Sequence, residues 1–153
     1  MSEIAEQVRK AHDLDAMVEL CKALIRIPSF TSEETPAVEY LEPYFRSRGY
    51  VVNVQEISPG RKQIAATLKG AGGGKNLMFN GHIDIDPVAA GWTRDPWEPV
   101  VDGDRLYGAG SFNMKGGVSA MIEAAEMIRR SGVKLRGDIV IACVAGELQA
   151  GVG

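Results

Sequence analysis

Histidine and cysteine are scarce in this chain, with two of each in 153 residues. Cys21 and Cys143 lie far apart in apolar surroundings, outside any paired-cysteine metal motif. Both are therefore expected as buried reduced thiols, and the expected compartment is the cytoplasm. Charge of one sign is also missing: 17 basic and 20 acidic residues leave a formal net charge of -3. No field of that size calls for nucleic acid or an anionic membrane surface as a partner. No apolar run approaches the roughly 18 residues that a membrane span needs. Met1 to Glu6 carries acids and no apolar core of the signal-peptide kind.

The sequence does contain enough apolar residues, 45%, for one globular core, and residues 1–153 read as a single domain. Ser2 to Ala11 suits a short helix. Asp13 or Asp15 can cap a better one, in which Leu14, Met17, Val18, Cys21, Leu24 and Ile25 recur at helical spacing until Pro28. Ser32 or Thr35 can cap a third helix with Pro36 in its first turn; Val38, Leu41, Tyr44 and Phe45 form its buried stripe, Pro43 interrupts it, and Gly49 ends it. Tyr50 to Ile57 and Gln63 to Leu68 read as strands joined by Ser58-Pro59-Gly60. Asn76 to Asn80 reads as an inner strand covered on both faces, and so does the apolar run Asp138 to Val144. Ala89 to Gly103 has no period and reads as a loop, with Asp104 to Tyr107 a short strand after it. Met114 to Ser131 is a helix with Arg129 and Arg130 in its last turn before Gly132. Helices alternating with such strands predict an α/β fold with a mixed, mostly parallel sheet flanked by helices.

Two glycine-rich stretches do not bind phosphate on this reading. Gly70 to Lys75 has a lysine at position 69 and Asn76 after Lys75, so the phosphate-loop frame fails. Gly108 to Asn113 lacks the third glycine of a dinucleotide fingerprint.

Reactive groups gather where apolar strands end. Gly81-His82-Ile83-Asp84-Ile85-Asp86-Pro87 puts an imidazole and an acid two residues apart just past a strand, so both point the same way and can share a site. That is ligand or acid/base geometry. Gly146-Glu147 stands at the carboxyl end of another strand. In open α/β sheets such ends face the functional crevice, which groups His82, Asp84 and Glu147. Ser29, Asn113 and Lys115 are expected to fix loops and helix starts, and His12 to lie on the surface.

Three segments together resemble the dinuclear zinc amidohydrolases and exopeptidases, the family that includes acetylornithine deacetylase, succinyl-diaminopimelate desuccinylase, aminoacylase and glutamate carboxypeptidase. Residues 81–87 match Gly-His-x-Asp-x-x-Pro. Trp92-Thr93-Arg94-Asp95-Pro96-Trp97-Glu98-Pro99 matches Trp-x-x-Asp-Pro-aromatic-x-Pro. Tyr107 to Gly117 matches the segment that normally reads Tyr-Gly-Arg-Gly-x-x-Asp-Met-Lys-Gly-Gly. The resemblance implies a zinc-exopeptidase-like fold, truncated and without the lid or dimerisation domain. It also implies His82 as a metal ligand, Asp84 as the residue that orients it, and Glu147 as the general base, so that Glu147 and Asp84 are the expected catalytic pair.

The chain departs from the family at two places. Asn113 stands at the metal-bridging aspartate, and the paired glutamates read Glu147-Leu148. Two cations about 3.5 to 4 Å apart need an anionic bridge, so zinc or another divalent metal is expected only if a partner chain completes the site. The resemblance thus points to the short subunit of a split hydrolase of amide or other C-N bonds, acting on a small N-acyl amino-acid-like substrate. A second chain would supply the missing carboxyl-terminal half or cover a sheet edge formed by the Ile139 to Val144 strand. Two other readings stay open: a metal-independent acid/base enzyme using His82, Asp84 and Glu147, and a non-catalytic homologue that stabilises a catalytic one.

Overall fold

The computed structural model describes residues 2–149. The register of Glu147-Leu148 against the family's glutamate pair leans on Gly151, Val152 and Gly153, which lie outside the described residues. Helix α1 (Glu3–Lys10) and helix α2 (Leu14–Ile25) form where expected, and Asp13 caps α2 by accepting from the Ala16 N–H at 2.9 Å. Helix α3 (Thr35–Arg46) has Pro36 in its first turn, but neither Ser32 nor Thr35 caps it. The Thr35 hydroxyl instead donates to the Gly60 carbonyl at 2.7 Å and accepts from Lys62 N–H, tying α3 to the hairpin beyond it. Pro43 stays inside α3 without breaking it. The stripe of Ala37, Val38, Leu41 and Phe45 is wholly buried, and that packing outweighs one missing backbone bond.

Strands β1 (Val51–Ser58), β2 (Arg61–Leu68), β3 (Leu77–His82) and β6 (Ile139–Val144) make one sheet in the order β1-β2-β6-β3. It is mixed and flanked by helices, as the sequence predicts. Of its pairings only β3 with β6 is parallel, while β1–β2 and β2–β6 are antiparallel, so parallel pairing does not predominate among the described residues. Strands β4 (Val100–Asp102) and β5 (Arg105–Tyr107) form a separate hairpin across Gly103, whose φ of +61° suits glycine. β4 falls inside the stretch read as an aperiodic loop; three residues are too few to show a period.

One face of the sheet carries the core. Ile64, Ala66, Ile139, Ile141 and Cys143 pack there against α2, α3 and the long helix α4 (Gly116–Ser131), whose Val118, Ile122 and Ala125 are buried. On the opposite face Ala65, Thr67, Val140 and Ala142 are half-buried, and Met78 and Asn80 are exposed. β6 is therefore covered on one face, not two. β3 is not an inner strand but the sheet's edge, with Leu77 and Met78 more than half exposed. The Ile139 to Val144 strand, expected at the edge, lies between β2 and β3. A continuous apolar run reports only that a strand is apolar, so it neither marks β3 as an edge nor shows that one face of β6 lacks a helix layer; the edge expected at β6 came from the split-subunit reading. Both cysteines are buried and free, and burial pushes the Cys143 thiol up to about 12.

Glu34 is fully buried at the start of α3 and is held by a two-pronged pair with Arg61, at 2.9 and 2.6 Å. Burial opposes its ionised form, yet the Arg61 fork and neighbouring N–H groups hold the carboxyl below its usual range. Arg61→Met is expected to cost about 3 kcal/mol by stranding that carboxylate, whereas Glu34→Leu with Arg61→Met recovers most of the loss. Denaturant melts of the single and double variants measure both values. Because the carboxyl is held low, the pair's contribution is present above the ordinary carboxylate range and is lost as pH falls through the folded value.

Candidate functional site

His82 is the last residue of β3, and the chain beyond it is clamped from both sides. Ile83 N–H donates to Val144 O at 2.9 Å, extending the parallel ladder by one step, and Ile85 N–H donates to Ser29 O at 2.9 Å. The Ser29 hydroxyl closes the clamp on Ile83 O at 2.6 Å. Ser29 is thus a loop-fixing residue, as its type suggests.

The i, i+2 spacing brings His82 and Asp84 together. Nδ1 of His82 lies 2.9 Å from the Asp84 carbonyl and 3.4 Å from its carboxylate. Asp84 is fully buried, and its two oxygens accept from the Thr31 hydroxyl at 2.9 Å, Glu147 N–H at 3.2 Å and Leu148 N–H at 3.1 Å. A carboxylate so enclosed cannot touch a substrate. Asp84 is a positioning residue: it fixes the imidazole and holds the Glu147 turn against it.

On the other side of the ring Nε2 faces Asn113 Oδ1 at 3.0 Å and Glu147 Oε2 at 3.7 Å. Among the described residues, the polar neighbours of the imidazole are oxygens, and Nε2 with the two oxygens that face it forms a set of donors that could share one cation. Glu147 keeps 57% of its side chain exposed, unlike Asp84. His82, Met114, Val144 and Glu147 line a cavity of about 340 Å³ that opens beside this cluster.

Asn113 sits in a wide turn, Ser111–Lys115, entered through Gly110, whose φ of +73° is a left-handed conformation that glycine takes without strain. The helix expected from Met114 begins two residues later, at Gly116, because this turn holds Asn113 extended toward His82. Lys115 anchors the turn. Its ammonium is buried and donates to Leu24 O at 2.8 Å and Ile27 O at 2.7 Å, at the end of α2. Burial lowers its pKa to about 8. His12 is exposed and takes no part. Thr31 escaped the sequence reading, since its contact with Asp84 spans 53 positions and a threonine in a loop carries no signal of its own.

Residues 78–153 match the profile of Peptidase family M20/M25/M40. The chain belongs to peptidase family M20. It is 35% identical over 111 residues to succinyl-diaminopimelate desuccinylase of Sphingopyxis alaskensis, covering 71% of this chain and 29% of that protein. It is 28% identical over 140 residues to N-formyl-4-amino-5-aminomethyl-2-methylpyrimidine deformylase of Bacillus subtilis, covering 87% and 33%. Human carnosine dipeptidase 1 shares the fold, with a TM-score of 0.77 at 22% identity over 99% of this chain and 36% of that one. This M20 chain spans about a third of the length of the curated relatives it matches.

Lys115 makes a pH signature. Folding holds its pKa near 8 against an ordinary value of 10.5, so between these values the unfolded chain binds more protons and stability rises with pH. The full rise is up to about 3 kcal/mol. Urea melts from pH 7 to 11 are expected to show this slope in the parent and to lose it in Lys115→Met.

Proposed function

We propose that this chain carries the His82 side of an M20-type hydrolase of an amide or other C-N bond, working in an assembly with a second polypeptide. The reading rests on one observation: His82 Nε2, Asn113 Oδ1 and Glu147 Oε2 meet at the carboxyl end of the parallel pair β3–β6, beside an open cavity. The bond class is supported by the relatives' names, a desuccinylase and a deformylase. A small N-acyl amino-acid-like amide is the proposed substrate. The two free buried cysteines suit a reducing compartment such as the cytoplasm, and no helix among the described residues is long and apolar enough to cross a membrane.

The donors that this chain offers do not fit the family's metal pair. Asn113 gives one neutral oxygen where two cations would need a bridging anion. Leu148 gives no donor, and both oxygens of Asp84 are already engaged. Among the described residues no three His, Cys, Asp or Glu side chains cluster as a metal site. One imidazole nitrogen, one amide oxygen and one carboxylate are left, a set that calls for donors from outside. Glu147, the solvent-open carboxylate, takes the general-base role by accepting a proton from the attacking water. His82, braced by Asp84, holds its position beside that proton transfer.

Among the described residues, the free edge of β3 and the half-buried opposite face of the sheet support the proposed partner. It would add a strand at β3 and a layer over Ala65, Val140 and Ala142.

Co-purification and an N-acyl amino-acid hydrolysis assay test the whole. Activity is expected with both polypeptides together and to fall at least about 100-fold in Glu147→Gln, the scale of a lost general base. Asn113→Asp is expected to raise the zinc held per assembly, read by native mass spectrometry. Equal activity of the partner alone would leave this chain a stabilising homologue, and two zinc ions bound by the isolated chain would overturn the reduced metal shell.

A further inference from the structure

A second cavity, of about 360 Å³, opens on the other side of Asn113, between the Ile85 to Trp92 loop and the Gly108 to Asn113 turn. Its walls combine two chemistries. Pro87, Val88 and Ala89 give an apolar floor, and the rings of Trp92 and Phe112 flank it. Phe112 is 97% exposed and Trp92 45%, so neither ring is part of the core. Among the described aromatics Phe112 is by far the most exposed: Phe45 and Tyr50 are buried, Trp97 meets Phe30 edge-on at 5.6 Å, and Tyr107 is 43% exposed. A phenyl ring left in water at the mouth of a cavity has no packing role to explain it.

Among the described residues, Asp86 is the only ionisable side chain that lines this cavity, and no lysine or arginine lines it. Asp86 is exposed, and among the described residues it forms no ion pair, whereas nearby Asp102 is 3.9 Å from Arg94. Asp84 and Asp86 thus divide the work of one short segment. The first turns inward to brace His82, and the second turns its charge outward into the neighbouring cavity. An uncompensated carboxylate beside aromatic faces is the arrangement that recognises an ammonium or guanidinium group, through a charge-assisted hydrogen bond and cation–π attraction. The same cavity repels a carboxylate, since it holds negative charge and no positive one.

We propose that this cavity is a binding subsite for a cationic group, a primary ammonium or guanidinium on a short apolar or aromatic stem. Resting on the hydrolase reading, it takes the end of the substrate nearest Asn113. A substrate so bound holds its positive charge in the cavity that Asn113 lines, with the scissile bond toward the cavity of His82 and Glu147, to which Asn113 is linked by its 3.0 Å contact with His82. The selectivity is therefore for amides of amine-bearing compounds over amides whose corresponding end is anionic.

Binding can be read without turnover, which separates this proposal from the catalytic one. The probes are benzylamine, its neutral counterpart benzyl alcohol and the anion benzoate, added to the 15N-labelled full chain at neutral pH. Benzylamine is expected to shift the Trp92 indole N–H resonance, identified as the one lost in Trp92→Phe, and to bind about tenfold more tightly than benzyl alcohol. Asp86→Asn is expected to remove that tenfold advantage while leaving benzyl alcohol unchanged. Phe112→Ala is expected to weaken both ligands. Both altered residues are exposed, so the variants should fold as the parent does, and unchanged melting temperatures verify it. Benzoate binding as well as benzylamine, or benzylamine binding untouched by Asp86→Asn, would overturn the subsite. If the subsite stands and no amide is hydrolysed by the completed assembly, the hydrolase reading fails and the binding site remains.

Discussion

The Asp84 carboxylate is the interaction on which the site depends. It is fully buried, and its acceptor capacity is met by one hydroxyl and two backbone N–H groups from segments far apart in sequence. Thr31 belongs to the loop after α2, Asp84 to the exit of β3, and Glu147 and Leu148 to the exit of β6. A buried carboxylate is tolerable only when it is so satisfied. The desolvation cost therefore acts as a positional constraint, because any shift of the three segments leaves the charge short of a donor. His82 inherits its orientation from this arrangement, and Glu147 is brought within 3.7 Å of the imidazole by its own backbone N–H rather than by its side chain.

A second constraint fixes the opposite wall. Lys115 spends its ammonium on the carbonyls that end α2, in the region where a helix accumulates partial negative charge. Asn113, two residues earlier, is thereby held by a residue that never meets the ligand. The two walls share no hydrogen bond among those described other than through His82 itself, so the ring is the hinge between them.

Much of this was legible from residue order. Apolar residues at helical spacing located α2, α3 and α4, Asp13 was one of two candidate caps for α2, and the i, i+2 rule paired His82 with Asp84. Alternation and β-branched residues located β1 and β2, and apolar runs located β3 and β6. What residue order could not convey was lateral position and cover: an apolar strand reads alike at an edge and in the middle, so β3 and β6 were both read as covered on two faces. Side-chain bonds across long separations were equally hidden. Thr35 looked like a cap until Gly60 and Lys62 claimed its hydroxyl, and nothing local distinguished Thr31 from other loop threonines. Asn113 was read from its residue type as loop-fixing and from the family resemblance as standing at the bridging position beside His82; the structure puts its amide oxygen 3.0 Å from the imidazole.

The position of β3 also bears on solubility. From Leu77 to His82 no side chain carries a fixed charge, and the outer edge of the strand shows unpaired N–H and C=O groups beside the exposed Leu77 and Met78. Natural edges are usually blunted by lysine, proline or a bulge. This one is open, and its register with β6 is regular from Leu77 to His82. The groups that would align an added strand next to His82 are the same ones through which copies of the chain can stack at high concentration. A strand added there and a stacked copy of the chain would need the same row of backbone donors and acceptors, so the one would exclude the other.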